Sequence, residues 1–121
     1  MWNRYEGYKA GREPLASMAY MCFTVLVAGA GERKAAAEQY GISMNLLDTL
    51  ARLTSEVGDE LTVRKMPKHG KLWPHTDAEK IWIEAVIKAL IQRAGEWHSA
   101  PSAVRPQLTM ADFPVLLQPV N

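Results

Sequence analysis

The chain has 121 residues, 48% of them apolar, with 14 Lys and Arg against 13 Asp and Glu, three His and a single Cys. That length is enough for one hydrophobic core and too little for two, and a net charge of +1 excludes a protein that holds polyanions or membrane surfaces by overall charge, so such a role needs a local patch. Lone Cys22 excludes a disulfide scaffold and a cysteine-based zinc site, and it suits a reducing cytoplasm.

Residues 15–28 form the first apolar block. Arg4, Lys9 and Arg12 before it, and Ala28-Gly29-Ala30 at its end, imitate a signal peptide. Against that, the leading segment also carries Glu6, Glu13, Trp2, Tyr5 and Tyr8, and Pro14 stands at the block's edge. The block is also shorter than the roughly 20 residues that cross a bilayer. It is expected as a buried core helix with Pro14 at its first position. Next, residues 32–40 (ERKAAAEQY) have strong helix-forming composition and stop at Gly41. Ser43 is placed to cap a helix over 44–57, in which Leu46, Leu47, Leu50, Leu53 and Val57 share one face and Met44, Asn45, Asp48, Arg52 and Ser55 the other.

Residues 59–75 are irregular, with Pro67, Gly70 and Pro74 and one candidate strand at 61–63. They are also the most basic stretch, carrying Arg64, Lys65, Lys68 and Lys71 beside Trp73. Thr76-Asp-Ala-Glu79 is a capping box that opens a helix over 77–94, with Gly95 beyond its end. This helix and the 15–28 helix are apolar over most of their circumference, which calls for cover on several sides and suggests a homodimer. From residue 96 onward four prolines forbid long regular structure. The tail nevertheless ends apolar, with Leu108, Met110, Phe113, Val115, Leu116, Leu117 and Val120, so it is expected to dock as an extended arm. The overall expectation is one all-α domain over 1–121: a compact bundle of about four helices in a core over 1–95, an irregular basic loop at 59–75, and a Pro-rich arm at 96–121.

Several constellations bear on function. Residues 33–53, RKAAAEQYGISMNLLDTLARL, place small Ala37 where two helices cross, Gly41 in the turn, and Ile42, Leu47 and Leu50 between the helices. This segment resembles the helix-turn-helix of bacterial DNA-binding proteins. The resemblance implies that the second helix faces DNA, with Asn45 reading a base edge and Arg52 touching phosphate. Arg64, Lys65, Lys68 and Lys71 would add phosphate contacts, and Trp73 could stack a base. Two features weigh on the other side: Asp48 and Glu56 lie among the outward positions, and a plain helical hairpin uses the same Ala, Gly and Leu positions.

Arg93-Ala-Gly-Glu-Trp-His98 is similar to the Arg-x4-His signature of HEPN-type ribonucleases, which are small dimeric helical bundles. That resemblance implies His98 as general acid/base and Arg93 stabilising charge on a scissile phosphate. Arg64 to His69 has the same spacing, and Gly95 interrupts the helix that would hold the pair in register. The apolar run into Gly29 and Gly31 also looks like the opening of a dinucleotide-binding unit, although Lys34 stands where that motif has its third glycine.

His69 and His75 lack the helical spacing of a metal pair, and no nucleophile elbow, zinc-protease motif, phosphate-binding loop or calcium loop occurs. Cys22 between Met21 and Phe23 reads as a core hydrophobe. The expectation is therefore a homodimeric helical binding module, without metal, cofactor, small-molecule ligand or membrane, whose most specific candidate partner is DNA. The alternatives are a HEPN-like ribonuclease and an adaptor or antitoxin-like subunit that binds only protein.

Overall fold

The computed structural model describes residues 2–55 and 76–114. These form five α-helices: α1 (Trp2–Lys9), α2 (Leu15–Ala30), α3 (Arg33–Tyr40), α4 (Met44–Ser55) and α5 (Asp77–Ser99). A single 3-10 turn follows at Met110–Asp112, and no strand occurs among the described residues. The all-α bundle expected from composition and periodicity is the observed architecture. The candidate strand at 61–63, and Val57 on the apolar face of α4, lie outside the described residues.

α2 is the hub, packed against each of the other four helices. Pro14 precedes it in extended geometry (φ −62°, ψ 149°) and its carbonyl accepts from the Met18 amide at 3.0 Å, so the proline stands one position ahead of the helix. Ala16, Met18, Ala19, Cys22, Phe23 and Leu26 are buried, and Cys22 sits with its Sγ 3.8 Å from the Met18 sulfur. Burial pushes its thiol pKa up, which fits a packing role. α2 then continues through Gly29 and ends at Gly31, whose φ of 100° suits glycine and whose amide reaches back to Val27 at 2.9 Å. This corrects the dinucleotide-binding resemblance. The segment entering the glycines is a helix, so the strand that would aim a glycine turn at a pyrophosphate is not there.

α1 was not expected, because its eight residues are polar on average and include Gly7. It forms by docking. Tyr5 is buried against the core, the Tyr8 hydroxyl donates to Glu84 Oε2 at 2.8 Å, and Lys9 Nζ stands 2.9 Å from Glu84 Oε1. Two helix-borne donors thus converge on one carboxylate of α5.

α5 opens with the expected capping box: Thr76 Oγ accepts from the Glu79 amide at 3.1 Å, and Glu79 Oε1 accepts from the Thr76 amide at 2.7 Å. Trp82, Ile83, Val86, Ile87 and Leu90 are fully or almost fully buried. The helix does not stop before Gly95 but runs on to Ser99. Gly95 costs about 1 kcal/mol inside a helix, and two contacts beyond it oppose that cost. Trp97 packs edge-on against Tyr40 with ring centroids 5.7 Å apart. Arg105 folds back so that its guanidinium donates to the Glu96 carbonyl at 2.7 Å and to the Ala100 carbonyl, adding a side-chain bond to two oxygens that also accept the Ala100 and Ala103 amides.

The expected homodimer rested on α2 and α5 needing outside cover. Within this fold they pack on one another and on α1, α3 and α4. Ile81 (59% exposed) and Val25 (51%) are the large aliphatic residues of these two helices left most open.

The described part of the C-terminal arm packs against its own chain. After the turn at 101–103, residues 104–109 run extended over the α3–α4 connection, and Leu108, Met110 and Phe113 are partly buried against the core. Val115, Leu116, Leu117 and Val120 lie outside the described residues.

Candidate nucleic-acid interface

The α3–α4 hairpin follows directly from its sequence. Alanines give α3 its helical propensity, and Ala36 and Ala37 are buried where a larger side chain would hold α2 and α4 away. Gly41 then takes the left-handed conformation, φ 67° and ψ 53°, which costs other residues roughly 1–2 kcal/mol. Its amide closes α3 onto the Ala37 carbonyl. Ser43 starts α4, its Oγ accepting from the Leu46 amide at 3.2 Å. Ile42, Leu46, Leu47, Leu50 and Leu53 are all buried. α2 crosses behind the pair and bends into α3 by 85°, so a third helix backs the hairpin.

On the other side of α4, Met44, Asn45, Asp48 and Arg52 are exposed. Asn45 and Arg52 are seven residues apart, two helical turns, and so lie close to one line along the helix. The Thr49 hydroxyl is turned inward on its own helix, donating to the Asn45 carbonyl at 2.7 Å.

The acidic residue on this face is answered by a cation that the sequence pattern does not single out. Arg33, at the start of α3, reaches across the hairpin to Asp48 Oδ1 at 2.6 Å. The Phe23 ring lies beneath that guanidinium, 5.5 Å from its centre. Both members of the pair are well exposed, so its worth in stability is small. Its electrostatic consequence is larger: Asp48 is neutralised, and Arg52 is left as the excess charge on the described outward face. A cation and an anion 15 residues apart on different helices give no spacing signal, and only the hairpin geometry brings them together.

Arg64, Lys65, Lys68 and Lys71 lie outside the described residues, as do Glu56, Trp73, His69 and His75. Among the described residues no cluster of His, Cys, Asp and Glu could hold a metal ion. No single helix among them is long and apolar enough to cross a membrane.

Arg93 and His98 do not converge within this chain. Because α5 is unbroken between them, five residues of helix set them about 140° apart around the axis. Arg93 is inside, 7% exposed, and donates to the carbonyls of Tyr40 (2.8 Å), Gly41 (3.1 Å) and Pro106 (2.9 Å). His98 is outside, its ring edge-on to Trp97 at 5.1 Å. In the HEPN-like alternative Arg93 faces a scissile phosphate, whereas these three bonds engage its guanidinium with backbone oxygens.

No family model, curated protein or solved structure matches this chain. What can be said of its function therefore rests on the geometry of the hairpin.

Proposed function

We propose that this chain is a non-enzymatic docking module that presents α4 to the major groove of double-stranded DNA. The observation carrying the reading is the hairpin itself: an eight-residue α3, a left-handed glycine, a capping serine, and an α4 whose outward stripe of Met44, Asn45, Asp48 and Arg52 is uncovered by the described residues. In helix-turn-helix docking, residues near the start of the second helix meet base edges while cations meet phosphates. Asn45, one residue into α4, has the amide that pairs with adenine, and Arg52 takes a phosphate. Arg64, Lys65, Lys68 and Lys71 supply further phosphate contacts in this reading. Self-association belongs to the same proposal, with exposed Ile81 and Val25 as its support. A two-fold pair would set two hairpins about one DNA turn apart.

The test is fluorescence anisotropy with a labelled mixed-sequence duplex of about 20 base pairs, long enough for two half-sites, alongside light scattering of the chain alone and with duplex. Binding that weakens linearly in log salt is expected. Arg52→Ala lowers the salt slope by about 1, whereas Asn45→Ala weakens binding at one base position by about 1–3 kcal/mol. Replacing the four cations of the basic stretch by Ala flattens the slope further, by nearly one unit for each phosphate left unneutralised. Absence of any mass shift or anisotropy change at low salt refutes the reading and turns the search to protein partners.

A further inference from the structure

The turn that aims α4 is held from outside the hairpin. Residues 41–43 carry the whole change of direction between α3 and α4, and a strap from the far end of the chain lies alongside them. Leu108 pairs with Ile42 as an isolated parallel bridge: its amide donates to the Gly41 carbonyl at 2.9 Å, and its carbonyl accepts from the Ser43 amide at 2.8 Å. Arg93 completes the arrangement from α5. Its Nη1 donates to Tyr40 and Gly41, and its Nη2 donates to Pro106 within the strap. Tyr40 is the last residue of α3, so the guanidinium stands at the negative end of that helix, which favours a cation there. No carboxylate is paired with Arg93 among the described residues. Its buried charge is instead compensated by three carbonyls, one of them in the strap.

These bonds converge on the start of α4. Ser43 is at once the residue whose Oγ caps that helix and the residue whose amide is bound to the strap. Asn45 lies two residues further on. We propose that Arg93 and the strap residues Pro106 and Leu108 are a positioning clamp for the interface: they fix the pose of α4's first turn without touching what α4 touches, so docking and clamp closure are coupled. The proposal rests on the DNA-docking reading for its functional readout. The clamp itself can be measured without DNA.

The experiment is amide hydrogen exchange, resolved by residue, on the full chain, with Arg93→Lys and Arg93→Gln as variants and the same 20-base-pair duplex as probe. Coupling of this kind typically amounts to about 5–150-fold. In the free protein, Arg93→Lys keeps the charge but loses the planar fork that reaches three carbonyls. It is expected to speed exchange at Ser43 and Leu108 at least about fivefold, with Leu50 and Leu53, further along α4, unchanged. Duplex affinity falls by a similar factor at an unchanged salt slope, because a positioning arginine releases no counterions. A salt slope reduced by about 1 would make Arg93 a phosphate contact instead and overturn the proposal. Equal exchange at Ser43 and Leu108 in wild type and both variants would also overturn it.

Should both variants unfold, the wild-type protein decides the matter by itself. Coupling is reciprocal, so duplex must slow exchange at Ser43 and Leu108 if clamp closure favours docking. Unchanged exchange there at saturating duplex overturns the clamp. Failure of the wild type to bind duplex overturns the docking reading and with it the coupling; where the variants fold, exchange in the free Arg93→Lys protein decides the clamp by itself.

Discussion

Replacing Gly41 by alanine tests the hairpin at its narrowest point. Two costs arise together. The residue sits at φ 67°, where an L side chain is disfavoured by roughly 1–2 kcal/mol, less about 0.4–1 kcal/mol returned because alanine restricts the unfolded chain. The added methyl would also stand 3.1 Å from Arg93 Nη1, closer than ordinary contact, so the guanidinium must retreat from the Tyr40 and Gly41 carbonyls. Hydrogen bonds to charged groups contribute about 1.5–3 kcal/mol each, and partial loss of two adds on the order of 1 kcal/mol. A net destabilisation of about 2 kcal/mol follows, or roughly 8 °C in Tm for a chain of this size. Gly95→Ala is the internal control, since it lies within α5 with nothing within 4 Å of an added methyl. Alanine there should stabilise by about 0.5–1 kcal/mol. Denaturant unfolding followed by helical circular dichroism, with unchanged m-values as the check on two-state behaviour, reads both. If Gly41→Ala matches wild type, or the two substitutions shift stability in the same direction, the strained turn and its arginine do not hold the hairpin in the way described.

Three further predictions concern the rest of the bundle. Thr76→Ala removes the acceptor for the Glu79 amide and should cost about 1 kcal/mol, measured by the same unfolding transition. Glu84 is held below its ordinary 4.5 by the hydrogen bonds from Lys9 and then Tyr8, against an opposing push from burial. A lowered carboxylate pKa contributes stability above the unfolded value and loses it as pH falls through the folded one, so α1 should loosen in acid below about pH 4.5, and Glu84→Gln should flatten that limb. At the other extreme, burial and the bond to Glu84 push the Tyr8 hydroxyl up to about 12. The stability it contributes is present below about pH 10 and fades as pH rises from there toward about 12, which Tyr8→Phe should abolish.

Much of the scaffold was legible in local chemistry. The capping box at Thr76, the glycine at 41, the serine at 43 and the leucines spaced along 46–53 each act within one or two helical turns, and each appears where its pattern placed it. What escaped depends on distance along the chain. α1 carries a weak helical pattern and exists because Glu84, some 75 residues on, binds two of its side chains. Gly95 reads locally as a stop signal, and it is passed because Trp97 finds Tyr40 and Arg105 folds back over the helix end. Arg93 misled most. Its contacts are with backbone oxygens, which leave no trace in residue identity. For the candidate interface, Asn45 and Arg52 were found from the outward face of an amphipathic helix, whereas Arg33 required knowing that two helices fold face to face.

The strap also imposes an order of assembly. α3, Gly41 and α4 leave the ribosome early, yet the carbonyls of Tyr40 and Gly41 acquire Arg93 only after about 50 further residues have been made, and the Gly41 oxygen acquires the Leu108 amide later still. Loop closure across such separations is slow compared with helix growth. During synthesis the hairpin therefore precedes the residues that secure its glycine, and the bonds from Arg93 and Leu108 can form only once those residues have been made. A nascent chain halted before residue 106 would carry the hairpin without the strap bonds at Gly41 and Ser43.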